Sequence, residues 1–265
     1  MATDAATLDA MATDALQQGG VAHAQHGPME QFTIKPIIPI HVGRLDLSYT
    51  NSALFMTFAI ALSALLFWGA TRARTMVPGR LQATAEVLYE FVADMLMSNA
   101  GKEGMRYFPF IFTLFLFILF GNVLGLMPYA FTFTSHIIVT AALAFFIFFA
   151  VTIIGFARHG LHFFSLFLPP GTPLWMAFFL VPLEIFSYLI RPVSMSLRLF
   201  ANMLAGHVLL KVLAGFIIPL GLMFGWVPFM AVFGVTMLEI LVALVQAYVF
   251  TLLACVYLND AIHLH

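Results

Sequence analysis

The chain has 265 residues, 62% of them hydrophobic and 9% charged, and a mean hydropathy of +1.01. A soluble domain carries about 25% charged and no more than about 50% apolar residues, so a water-soluble globular fold is excluded and an all-α polytopic membrane protein is implied. A net charge of −1 with no basic stripe argues against nucleic acid, and a single cysteine, Cys255, excludes a disulfide framework or a thiolate metal site.

Residues 1–45 read as an arm on the outer side of the membrane, and 46–265 as one transmembrane helical domain. Asp4, Asp9, Asp14 and Glu30 all precede the first basic residue, Lys35. A cleavable signal would set positive charge ahead of an apolar core, and a mitochondrial presequence would be arginine-rich and acid-poor; neither pattern is present. The near-repeat MATDA at 1–5 and 11–15 reads as local low complexity, and this arm is expected to be mobile.

Residues 52–70 are uncharged and long enough to cross a bilayer. Arg72, Arg74 and Arg80 follow and fix that end on the cytoplasmic side, leaving the N-terminus outside. In 81–98, Leu81, Ala85, Leu88, Val92 and Leu96 recur at helical spacing with Glu86, Glu90 and Asp94 interleaved. That pattern predicts an amphipathic helix, at the membrane surface or packed on a partner, broken at Gly101–Gly104. A second span, 108–127, follows Lys102 and Arg106, contains Asn122 and ends at Met127-Pro128. A third, 137–157, returns to Arg158 and His159.

After the break at Pro169-Pro170-Gly171, residues 174–216 carry almost no loop signal except Pro182 and Pro192. As helix they would measure about 65 Å, and the following run, 222–258, about 55 Å. The hydrocarbon layer is only about 30 Å thick. Either a short re-entrant hairpin at 174–190 precedes an ordinary span, or both runs are continuous, steeply tilted helices; the residues alone leave both open.

Glu184, Ser187, Arg191, Ser194, Arg198 and Asn202 follow one another at spacings of three and four, and so share one face of an otherwise apolar helix. A lipid-facing helix excludes such a face, because each charge at depth costs from about 3 to more than 10 kcal/mol. Arg191, near the cytoplasmic side, and Lys211, near the helix end, suit snorkelling anchors, and Ser187, Ser194 and Ser196 suit helix packing. Arg198 lies too deep for either role. Glu239 and Gln246, one heptad apart, share a face of the last helix. His207 is a candidate partner for Glu239 across the hairpin, and a carboxylate beside an imidazole suits proton relay. No histidine group has metal-site spacing, and no glycine-rich nucleotide loop or GxSxG nucleophile is present. No metal, cofactor or bound nucleotide is therefore expected.

The run PVSMSLRLFANMLAGH at 192–207 resembles the signature of the a subunit of F-type ATP synthases. LEIFSYLIRPVS at 183–194, EILVALVQAYVFTLLACVYL at 239–258 and NVLGLMP at 122–128 fit the same family in order and spacing. The resemblance implies a long tilted helix hairpin held against a rotor ring of c subunits, with peripheral-stalk b-type subunits and lipid as further neighbours. It implies that Arg198 faces the rotor's essential carboxylate, that Asn202 and Gln246 line that interface, and that Glu184, His207 and Glu239 line the outer half-channel, with Ser187 and Ser194 as further polar lining. In some bacterial relatives the acid and the histidine exchange places, which supports contact between positions 207 and 239. Proton translocation coupled to ATP synthesis follows as the expected function, in a bacterial inner membrane or, alternatively, the mitochondrial inner membrane, with a cytoplasmic C-terminus. A secondary transporter would show repeated halves with broken helices in matching positions, and no such symmetry is present.

Overall fold

In hydrocarbon a backbone must satisfy its own hydrogen bonds, and a helix does so within one segment. The apolar runs of this chain accordingly fold as helices in the computed structural model, which describes residues 34, 36–39, 41–42, 45–46, 48–72, 78–127, 130–160, 162–163 and 174–263. Residues 1–33, Arg74, Pro128, the break at 169–171 and His265 lie outside the described residues. The chain is an all-α polytopic membrane protein with five helical segments long and apolar enough to span a bilayer.

Ahead of the first helix stands a small ladder that the sequence reading did not expect. Strands β1 (Pro36–Ile38) and β4 (Tyr49–Thr50) pair antiparallel, and β2 (His41–Val42) pairs with β3 (Leu45–Asp46) inside them. Helix α1 follows at Asn51–Arg72.

Helix α2 (Arg80–Gly104) is the amphipathic helix. Ala85, Val92 and Leu96 are buried while Glu86, Glu90 and Asp94 are exposed. The apolar face, joined by Met95 and Ala100, packs on the last helix of the same chain. Gly101 adopts φ 64, a conformation open to glycine, and interrupts the helix where the sequence predicts the break. A 3-10 turn, Met105–Tyr107, leads into α3 (Phe108–Gly125); a second, Phe133–Ser135, precedes α4 (Ile137–His159).

Helix α5 runs unbroken from Leu174 to Ile217 with Pro182 and Pro192 inside it, which settles the choice left open above in favour of continuity. After a single helical turn, Gly221–Phe224, helix α6 spans Trp226–Ile262, four residues further along than the predicted 222–258 at each end. Gly221 takes φ 64 and makes the turn. At about 1.5 Å per residue both helices are longer than the bilayer's hydrocarbon is thick.

Helix α6 is the hub, touching α2, α3, α4 and α5. Small residues make this close approach available: Ala243, Ala247, Thr251, Ala254 and Cys255 are fully buried along it. Phe250 and Leu258 of α6 join Val92, Leu96, Ile111, Ile118, Ile147 and Leu199 in one core.

Candidate functional site

Helix α5 has two faces. Pro192, Met195, Ser196, Leu199 and Met203, at helical spacing, are buried against the chain. Ser196 meets the Thr140 hydroxyl of α4 at 3.3 Å. On the opposite face Ser194, Leu197, Arg198, Ala201 and Ala205 are exposed. Arg198 therefore projects out of the chain from the middle of a long apolar helix. No described carboxylate lies within ion-pair distance of it.

One turn on, Asn202 donates to Gln246 Oε1 at 2.9 Å, joining α5 to α6 beside the arginine. Gln246 is buried. Asn122, from α3, is also buried and donates to the Ala243 carbonyl at 3.2 Å, pinning α6 one turn before Gln246.

Two turns back along α6, Glu239 is 3% exposed and its Oε1 lies 3.3 Å from His207 Nδ1. Gly206 makes the approach feasible, since a Cβ there would stand 2.7 Å from that oxygen. On its other side His207 Nε2 meets the Thr132 hydroxyl at 2.9 Å. The residues expected to form a relay thus stand together.

Glu184 does not stand with them. It precedes Arg198 by fourteen residues, whereas His207 follows by nine. Because α5 is continuous, Glu184 lies about 21 Å to one side of Arg198 and His207 about 13 Å to the other. Of the three residues expected to line one half-channel, the structure brings His207 and Glu239 together and leaves Glu184 beyond Arg198 along α5. Ser187 and Ser194 are exposed, on the Glu184 side of Arg198.

On that same side Arg191 is paired rather than snorkelling. It donates to Asp260 at 2.8 Å and lies over the rings of Tyr188 and Tyr257, at 5.5 and 5.2 Å. Tyr188 in turn meets the Thr152 hydroxyl at 2.8 Å, and Arg158 of α4 pairs with Glu103 of α2. Ion pairs, a hydroxyl contact and aromatic faces thus tie α5 to α6 and α4, and α4 to α2, here. Among the described residues no group of three metal-ligating side chains comes together.

Sequence reasoning missed Thr132, Gly206 and Asp260. The signals available were the hydroxyl-rich TFTS at 132–135, the glycine preceding His207, and a carboxylate in the last turn of α6.

The family described as ATP synthase A chain matches residues 53–259. The chain is 61% identical over 240 residues to ATP synthase subunit a of Rhodospirillum rubrum, covering 91% of this chain and all of that protein. Against ATP synthase subunit a of Paramagnetospirillum magneticum (strain ATCC 700264 / AMB-1) it is 52% identical over 244 residues, covering 90% of this chain and 99% of that one. The chain belongs to the ATP synthase subunit a family. As a subunit a of F-type ATP synthase it is an integral membrane component of an enzyme complex, and it works with the rest of that complex in ATP synthesis and hydrogen ion transport.

Proposed function

We propose that the chain is the stator half of a rotary proton path, completed by a carboxylate on a rotor ring of c subunits. The observation that carries this reading is Arg198, a permanent cation exposed on a mid-helix apolar face with no described partner. At membrane depth such a group requires a counter-charge or water, and on this reading the rotor carboxylate supplies the counter-charge.

Protons enter from the outer side at the Glu239–His207 pair. They pass by the Gln246–Asn202 bridge to the rotor carboxylate, and the neutral acid is carried round through lipid. When the carboxylate returns to Arg198 from the other side, the guanidinium favours its ionisation, because an opposite charge a few Å away lowers a carboxylate's pKa. The released proton leaves along the Glu184 side, with Ser187 and Ser194 as polar lining. Arg198 stands between the two routes and blocks direct leakage, so proton flow requires rotation. The chain makes no ATP by itself; a soluble head on other subunits does. Peripheral-stalk b-type subunits hold it against the rotor torque. The membrane is a bacterial inner membrane, with the N-terminus outside and the C-terminus in the cytoplasm.

The test is reconstitution. In proteoliposomes under a potassium-diffusion potential, the purified chain alone is expected to conduct no protons, and the chain with its rotor ring and stalk to conduct them. Conduction by the chain alone would overturn the reading.

A further inference from the structure

Two partners of the Thr132 hydroxyl bear on which nitrogen of His207 carries its proton. Thr132, 4% exposed, lies in the connection between α3 and α4. Its hydroxyl is 3.1 Å from the Gly125 carbonyl, which can only accept, and it has a single proton to donate. Gly125 is the last residue of α3, and its carbonyl is among those that a helix end leaves without an intrahelical partner. With that proton on the carbonyl, the Thr132 oxygen meets His207 Nε2, at 2.9 Å, as an acceptor. Nε2 then carries the hydrogen, which leaves Nδ1 as the basic nitrogen, and Nδ1 is the atom that faces Glu239.

We propose that Thr132 is a positioning residue for the relay: its hydroxyl holds His207 in the Nε2–H tautomer, so that Nδ1 and the Glu239 carboxyl exchange a single proton. The step balances without another reactant. When Glu239 arrives protonated, its proton moves to Nδ1, giving imidazolium and carboxylate; the reverse transfer restores the neutral pair. Without the hydroxyl, the ring is free to place its hydrogen on Nδ1, and the neutral imidazole then has no lone pair toward Glu239.

The surroundings are built for this placement. A Cβ on Gly125 would lie 2.7 Å from Thr132 Cγ2 and 2.8 Å from its Oγ1, so glycine is needed for the threonine to seat. Phe133, 1% exposed, packs against Phe117 and lies where a Cβ on Gly121 would stand 2.4 Å from its ring. Phe131 stacks on His136 with ring centroids 5.0 Å apart. Thr132 is held from both neighbours while its hydroxyl oxygen lies against His207 Nε2.

This inference rests on the relay proposed above, and the experiment separates the two. ATP-driven acidification is measured in inverted vesicles carrying the whole complex, normalised to assembled complex. Thr132→Val keeps the shape and removes the hydroxyl; its flux is expected to fall about tenfold, on the scale of one lost hydrogen bond. Thr132→Ser keeps the hydroxyl and loses the methyl, and is expected to restore flux close to that of the parent. Parental flux in Thr132→Val, or equal loss in both variants, overturns the inference. Should Thr132→Val not assemble, Thr132→Ala takes its place with the same expected loss. Glu239→Gln in the same vesicles is the control: slowed transport there with parental flux in Thr132→Val sinks only the role of Thr132, whereas parental flux in Glu239→Gln sinks the relay itself.

Discussion

Gly206 and Glu239 meet across the hairpin with no room for a side chain between them: a Cβ on Gly206 would stand 2.7 Å from Oε1 and 3.1 Å from the carboxyl carbon. Gly206→Ala raises helix propensity by about 1 kcal/mol, so the helix itself is not weakened, yet the carboxyl must move from His207. Proton pumping by the assembled complex is expected to fall about tenfold, on the scale of one displaced interaction. Unchanged pumping would show that the position of Glu239 is not critical.

The 3.3 Å contact between His207 and Glu239 also predicts that the two can exchange places. His207→Glu alone sets two carboxyls side by side, and Glu239→His alone two imidazoles. Each single variant should lose most proton transport, while His207→Glu with Glu239→His recovers a large part of it. In a double-mutant cycle the coupling should exceed about 1 kcal/mol; additive losses would contradict direct contact.

Arg191 and Asp260 close the opposite end of the hairpin. Both are half-buried, and Asp260→Asn leaves a guanidinium facing two tyrosine rings without its counter-charge. A loss of about 1–3 kcal/mol is expected, read as faster thermal inactivation of the complex with coupling retained. Loss of coupling at unchanged thermal stability would assign the pair a transport role instead.

The separation of Glu184 from His207 makes a sided prediction. Cys255 is fully buried, so an introduced thiol can be read without interference. In Glu184→Cys an impermeant thiol reagent should block transport when added from the cytoplasmic side, and in His207→Cys from the outer side. Block of both from one side would return Glu184 to the outer route.

The parts legible in the sequence were those that depend on one segment. Arg198 declared itself because a charge in an apolar helix has few tolerable settings, and the shared face of Glu239 and Gln246 follows from helical period alone. Partners from distant segments were harder. Asp260 lies 69 residues from Arg191 and at a polar helix end, where a carboxylate signals nothing by itself. Thr132 lies 75 residues before His207, in a connection whose path no periodicity specifies. The strands at 36–50 are two or three residues long, too short for an alternating pattern. Glu184 was expected beside His207 and Glu239 because the resemblance supplied roles, while the continuity of α5 fixes the distances.

The account turns on Arg198 as the cation that the rotor carboxylate must meet. The most direct measurement is ATP-driven proton pumping in vesicles carrying Arg198→Ala, alongside the amount of assembled complex. Assembly at the parental level with pumping abolished is the predicted result; full coupled pumping in that variant would contradict it.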